Sequence, residues 1–321
     1  MFSISTPLFF KLSYIAVDIG ATNIRVASGN HNGLKDKLTE PTEKNDGTYG
    51  VSRQIIRLID SILFEEPTSI GIGSIGPINH NLGMITNTPN YPINNIPITD
   101  PLIDNYKIPV TLVNDCAAAV LGEQTFGAGQ GLDNLVYITI STGLGGGAIV
   151  DGNLLLGKDG NAVEVGHFTL DPDSELICGC GCKGHWEAYS CGNNIPAYAR
   201  TLLEDREWQN GALYRLTGGH PSNLSSENIF TAARKGDKHA DRIIKEIGVK
   251  NAIGVANIIN AYDPELITIG GSIALNNPEK ILNPILENVG KYTINKLPEI
   301  KITPLVDDAV IMGALALAMQ I

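Results

Sequence analysis

Two spacings of apolar residues take turns along this chain. Short continuous runs at Tyr14–Ile19, Ser69–Ile75, Pro109–Val113, Leu135–Ile140, Leu266–Ile269 and Ile300–Pro304 read as buried strands. Between them, apolar positions recur every third or fourth residue. Val51, Ile55, Ile56, Ile59, Ile62 and Leu63 predict a helix within Thr48–Glu65. The same spacing predicts helices over Cys116–Phe126, Asn193–Glu204, Glu227–Lys235, Asp237–Ala261, Pro278–Lys296 and Asp308–Gln320. Strands interleaved with helices make this an α/β chain. The stretch Asn87–Pro101, rich in proline and asparagine, breaks both rhythms and reads as a long ordered loop.

One pattern occurs twice. A strand, a turn containing glycine and threonine, and a returning strand occupy residues 14–28 and again 135–150. Two such units, each continued by further strands and helices, imply a duplicated α/β domain with a cleft between the copies. The first turn is D-I-G-A-T-N, Asp18–Asn23. Gly20 lets backbone approach a ligand, successive N–H groups and the Thr22 hydroxyl can cradle phosphate oxygens, and Asp18 can hold Mg²⁺. The second turn, S-T-G-L-G-G-G, offers Ser141, Thr142, Gly143 and Gly145 in the same manner before the strand Ala148–Val150. Gly143-x-Gly145-x-x-Ala148 also mimics the fingerprint of an NAD-binding oxidoreductase. That fingerprint has to open a helix, and this one runs into a strand. Asn114-Asp115 ends one strand and opens a helix. Helix capping accounts for the pair, and a carboxylate there could also take a proton from a hydroxyl.

Composition narrows the classes. A chain of 321 residues, 43% apolar and 18% charged, is long enough for roughly two folded domains. Its net charge of −11 argues against a nucleic-acid surface, while leaving room for a single nucleotide carried with Mg²⁺. No segment reaches the roughly 18 apolar residues of a membrane span. The N-terminal M-F-S-I-S-T-P-L-F-F-K-L-S-Y lacks the features of a secretory leader and reads as an extension of the first strand, or as a start codon placed early. A cytoplasmic, reducing location is expected from the cysteines, three of which stand two residues apart. P-loop, protein-kinase, nucleophile-elbow and H-E-x-x-H motifs do not occur.

Those three cysteines lie in the densest chemical cluster of the chain. Glu164–Glu187 holds His167, Cys178, Cys180, Cys182 and His185 between two carboxylates, with glycines interleaved. Thiolates and imidazoles this close suit a tetrahedral zinc site using four of the five. More than four candidate ligands point to a closed, structural site rather than one with an open position for water.

Taken in order, D-I-G-A-T-N, V-N-D-C-A-A-A-V-L-G-E, I-S-T-G-L-G-G-G, E-V-G-H, C-G-C-G-C-K-G-H-W-E, N-A-Y-D-P-E-L-I-T-I-G-G-S and the terminal G-A-L-A-L-A resemble the ROK family of repressors and sugar kinases, in particular its archaeal glucokinase-like members. The resemblance implies the sugar kinase/actin/Hsp70 fold, with two ribonuclease-H-like lobes: residues 1–114 plus 303–321, and residues 115–302. It implies transfer of phosphate from Mg²⁺-ATP to the 6-hydroxyl of a hexose. Glucose is the first choice, and N-acetylmannosamine or another N-acetylhexosamine the alternative. Asp115 would be the base. Asn90, Asn114, Glu164, His167 and Glu187 would bind the sugar. Asp18, Gly20, Thr22 and Asn23 would face Mg²⁺ and phosphates, joined by Thr142 and Gly143, with Gly270, Gly271 and Ser272 near the nucleotide. Where the family's metal motif carries a third cysteine, this chain has His185. The implied zinc ligands are therefore His167, Cys178, Cys180 and His185, with Cys182 as substitute. A homodimer is the family expectation. A sugar-responsive repressor, the other branch of the family, would need a basic helix-turn-helix ahead of the first strand.

Overall fold

The computed structural model describes residues 12–63, 65–86, 93–203 and 208–320. By its internal contacts the chain divides into two units, Met1–Gly122 with Val310–Ile321, and Glu123–Ala309.

In the first unit the strands are β1 (Tyr14–Ile19), β2 (Asn23–Asn30), β3 (Gly33–Pro41), β4 (Ile70–Ser74), three two-residue strands β5 (Ile78–Asn79), β6 (Met84–Ile85) and β7 (Ile96–Pro97), and β8 (Val110–Asn114). The main sheet has the order β3-β2-β1-β4-β8. The first three strands run antiparallel, and β1, β4 and β8 run parallel. Helices α1 (Gly50–Ile62), α2 (Thr99–Tyr106) and α3 (Asp115–Phe126) complete the continuous part. Unbroken apolar runs make the inner strands: Ile15, Ala16 and Val17 of β1 and Ile70 and Ile72 of β4 have no exposed surface. α1 covers one face with Val51, Ile55, Leu58, Ile59 and Ile62.

The second unit repeats the plan. Its strands β9 (Leu135–Ile140), β10 (Leu144–Val150), β11 (Asn153–Leu154), β12 (Leu266–Gly270) and β13 (Glu299–Ile302) take the order β11-β10-β9-β12-β13, with the same antiparallel and parallel neighbours. Both sheets thus have the ribonuclease-H-like order that the resemblance implied. Between β11 and β12 lie the cysteine-rich loop and helices α4 (Glu187–Ser190), α5 (Ile195–Leu202), α6 (Ala212–Thr217), α7 (Ser226–Arg234) and α8 (Lys238–Tyr262). The last starts where the Asp237 carboxylate accepts the N–H groups of His239 and Ala240. Helices α9 (Ser272–Asn276) and α10 (Pro278–Asn288) join β12 to β13.

Helix α11 (Ala309–Met319) returns to the first unit, where it packs without side-chain spacers. A Cβ on Gly71 would stand 2.0 Å from the Ala314 carbonyl oxygen, and one on Gly313 would stand 1.6 Å from that of Ala118 in α3. Only glycine lets backbones approach this closely. No helix of the described residues is long and apolar enough to cross a membrane.

Several elements differ from the sequence expectation. β10 begins at Leu144, so Gly145, Gly146 and Gly147 of the second turn lie inside a strand. Val163 and Val165 pack over Gly146, where a Cβ would meet Val165 at 2.9 Å. The expected loop Asn87–Pro101 contains β7 and the start of α2, whose Pro101 falls in the first turn, where its missing N–H costs nothing. The expected helix Pro278–Lys296 stops at Asn288 in a short 3₁₀ turn. Residues 87–92 lie outside the described residues, and the expected sugar ligand Asn90 with them.

Candidate functional site

In the first unit, strand register gathers two motifs at one edge. Ile19 lies beside Ser74, and Ser74 beside Asn114. The turn after β1 and the Asn114-Asp115 pair therefore share the C-terminal edge of three parallel strands, where α/β sheets usually seat ligands. Gly20 N–H donates to the Asn23 carbonyl at 2.9 Å, and a Cβ on Gly20 would crowd that same oxygen. Thr42 fixes the turn from β3's end: its hydroxyl donates to the Gly20 carbonyl at 2.7 Å, and its N–H to that of Thr22 at 2.9 Å. Thr22 and Asn23 remain exposed. Asp18 faces Arg25 across the hairpin at 3.7 Å. Thr42 was not expected from sequence, because nothing local links it to a motif, and Arg25 meets Asp18 through the register of the hairpin.

Asn114 and Asp115 divide the work at the start of α3. The Cys116 N–H is shared between Asn114 Oδ1 at 2.9 Å and Asp115 Oδ1 at 2.8 Å. Asn114 is thus a helix cap, as its type and position imply. Protein crowding around Asp115 pushes its carboxyl above the usual range, opposed by the Cys116 N–H, which favours the charged form.

In the second unit, Thr142 and Gly143 join β9 to β10, while Gly270, Gly271 and Ser272 join β12 to α9. Gly270 pairs with Thr139, so both turns emerge at the same end of the sheet. The Ser141 and Ser272 hydroxyls stand 3.0 Å apart. Gly271 has φ +86°, and a Cβ there would meet the Ile140 carbonyl oxygen at 2.6 Å. Packing therefore demands this glycine whether or not a nucleotide lies near. Entering β10 rather than a helix, the Gly143 turn also lacks the geometry of a dinucleotide fingerprint.

Glu164 is presented by a tight turn. Val165 N–H donates to the Val163 carbonyl at 2.7 Å across Glu164, whose φ −71° and ψ 58° are those of an inverse γ-turn. Buried Val163 holds φ +64°, an outlying conformation for a β-branched residue. The exposed carboxylate of Glu164 lies 3.9 Å from His167 Nε2.

The other ring nitrogen of His167 points at thiols. Ligand atoms of His167, Cys178, Cys180 and His185 all lie within 4.8 Å of one another. Cys178 Sγ is 3.5 Å from His167 Nδ1, and Cys180 Sγ is 3.3 Å from His185 Nδ1. A tetrahedral zinc ion has ligand–ligand edges of roughly 3.4–3.8 Å, so two thiols and two imidazoles so disposed fit one. Burial and the neighbouring His167 lower the His185 pKa, which favours the neutral imidazole that a metal requires. Cys182 is exposed and stands outside this cluster.

Glu187 lies between the cluster and the second turn. Its Oε2 accepts the Leu144 N–H at 2.9 Å, and its Oε1 is 3.3 Å from Cys178 Sγ. Trp186, with no exposed surface, donates its indole N–H to Asn251 of α8 at 2.8 Å.

Known proteins resemble this chain in sequence and in fold. Residues 14–321 match the model of the ROK family. A glucokinase of Pyrobaculum calidifontis is 38% identical over 95% of this chain and 94% of its own length. The crystal structure of a ROK hexokinase from Thermus thermophilus superposes with a TM-score of 0.83, at 29% identity, over 96% of this chain and 98% of that one. A ROK family glucokinase from Streptomyces griseus, solved with glucose and AMPPNP, gives 0.78 at 29% identity over 96% and 99%. With two ribonuclease-H-like units, the motif order intact and the family match running from the first described strand to the end, this chain belongs to the ROK family.

Proposed function

We propose that this chain transfers the terminal phosphoryl group of ATP to the 6-hydroxyl of glucose. The observation that carries the reading is Asp115, a carboxyl with a raised pKa at the strand edge that also bears the first phosphate turn. Glucokinase relatives of 38% and 36% identity over 95% of the chain support the substrate. In this reading Asp115 accepts the 6-hydroxyl proton as the oxygen bonds to phosphorus and the bond to the leaving ADP oxygen breaks. A raised pKa suits the role, since a base works best when its pKa approaches the working pH. Backbone N–H groups and hydroxyls of the two turns, with Thr22, Asn23 and Thr142 exposed at them, hold phosphate oxygens. Mg²⁺, for which Asp18 is the proposed holder, would neutralise phosphate charge. Asn114, Glu164, His167 and Glu187, with Asn90, orient the sugar hydroxyls.

Zinc in the same proposal is structural. His167, Cys178, Cys180 and His185 would hold it, fixing the His167 ring so that Nε2 meets a sugar hydroxyl. Thiol ligands need a reducing compartment, in keeping with a cytoplasmic enzyme, and a homodimer completes the reading. Coupled ADP release measured over glucose, mannose, fructose, N-acetylmannosamine and N-acetylglucosamine tests it. The highest kcat/KM is expected for glucose. Turnover of none of the five, or of an N-acetylhexosamine above glucose, would overturn it.

A further inference from the structure

The metal loop and the second phosphate turn are adjacent in space, and one side chain spans them. Glu187 Oε2 accepts the Leu144 N–H at 2.9 Å, on the residue that follows Thr142-Gly143. Its Oε1 is 3.3 Å from the buried Cys178 sulfur. As a metal-bound thiolate that sulfur has no proton to donate, so the link to a ligated loop runs through the chain from His185 to Glu187. The glycines on both sides make room for it. A Cβ on Gly143 would stand 3.0 Å from Oε2, and one on Gly179 would stand 3.3 Å from Oε1. The segment that follows continues the contact: Gly192 N–H donates to the Ser141 carbonyl at 2.7 Å, and Asn193 N–H to that of Thr142 at 3.4 Å. Behind Glu187, Trp186 is wedged over Gly254 of α8, with its indole N–H on Asn251. Residues 186–193 therefore form a brace between the cluster of thiols and imidazoles and the turn Ser141–Leu144.

We infer that Glu187 is a positioning residue of the nucleotide site, through which the metal loop sets the conformation of the phosphate turn. A carboxylate accepting a backbone N–H holds that peptide plane, and with it the neighbouring N–H groups that meet phosphate. Loss of the ligated loop then loosens nucleotide binding as well as the sugar wall. The inference rests on the phosphoryl-transfer reading given above.

Titration of the purified, metal-loaded protein with Mg²⁺-AMPPNP in the absence of sugar, and separately with glucose, tests it. Glu187→Ala is expected to weaken nucleotide binding about tenfold or more, the loss of one charge-assisted hydrogen bond. Glu187→Gln keeps an amide oxygen for the Leu144 N–H and is expected to hold nucleotide within about threefold of wild type while weakening glucose. Removing the metal with a chelator should weaken AMPPNP binding in the wild type and add little in Glu187→Ala, because the link is already cut. Gly143→Ala, whose methyl presses on the same carboxylate, guards against a misfolded Glu187→Ala and is expected to weaken AMPPNP likewise. Unchanged nucleotide affinity in Glu187→Ala, or in Gly143→Ala and the metal-free protein if the first does not fold, would overturn the inference and leave Glu187 a sugar ligand only. Wild-type protein binding neither AMPPNP nor glucose would instead sink the kinase reading itself.

Discussion

Replacing Asp115 by asparagine separates two properties of that carboxyl. The amide keeps an oxygen for the Cys116 N–H, which now sits 2.8 Å from Oδ1, so the start of α3 should survive. Proton acceptance is lost. General-base catalysis contributes on the order of 10²–10⁴-fold, or about 2.7–5.4 kcal/mol of barrier, and kcat should fall within that range while glucose affinity is largely kept. Stability should move the opposite way. Burial raises the folded pKa above the unfolded value of 3.8, so between the two the folded chain binds more protons than the unfolded one. Stability contributed by this group is therefore lost as pH rises through that window, and it stays lost at neutral pH. The substituted amide carries no charge to desolvate, so Asp115→Asn should melt higher than wild type at pH 7, with the gap closing toward pH 4. Coupled ADP release gives kcat, and thermal melts at several pH values give the second readout. A variant retaining a third of wild-type kcat refutes the base. A melting temperature equal to or below wild type at pH 7 refutes the account of its environment. The same raised pKa places the acid limb of the wild-type kcat/KM profile, which reports the free enzyme, above the ordinary carboxylate range.

Other expectations follow from packing and ligation. His185→Ala should lose bound zinc, measured by elemental analysis of purified protein, whereas Cys182→Ala should keep it, since Cys182 stands outside the cluster of four. The reverse pattern would put Cys182 in the site. Gly71→Ala places a methyl 2.0 Å from the Ala314 carbonyl oxygen and 2.7 Å from the Ala318 nitrogen, both backbone atoms of α11. Overpacking of this kind costs about 1–3 kcal/mol, visible as a lower urea midpoint at unchanged slope, and a variant as stable as wild type would show that α11 shifts freely.

Much of the fold was legible because burial leaves a plain mark. Strands covered on both faces are continuous apolar runs, and β1, β9 and β12 fell where such runs predicted them. β3 was missed for the complementary reason. As an edge strand it is largely exposed, and its sequence G-L-K-D-K-L-T-E-P carries no apolar run to read. The short α2 was hidden by Pro101 and by the prolines that precede the helix. The candidate site was legible where it sits in contiguous motifs, as with the clustered thiols and imidazoles of residues 167–185. It was illegible where the partner is distant in sequence: Thr42 on the first turn and Leu144 under Glu187 are held by tertiary contacts that no local spacing encodes.

The position of Trp186 also has a spectroscopic consequence. The chain has two tryptophans, Trp186 and Trp208. Both belong to the unit Glu123–Ala309 and both are buried, so the other unit is dark to tryptophan emission. With the residue next to His185 as one of two fluorophores, quenching or a red shift on chelation would report the metal loop in real time. An unfolding curve followed by emission likewise tracks one unit alone. Its coincidence with the curve from far-ultraviolet circular dichroism, which both units contribute to, tells whether the two halves of this kinase melt as one.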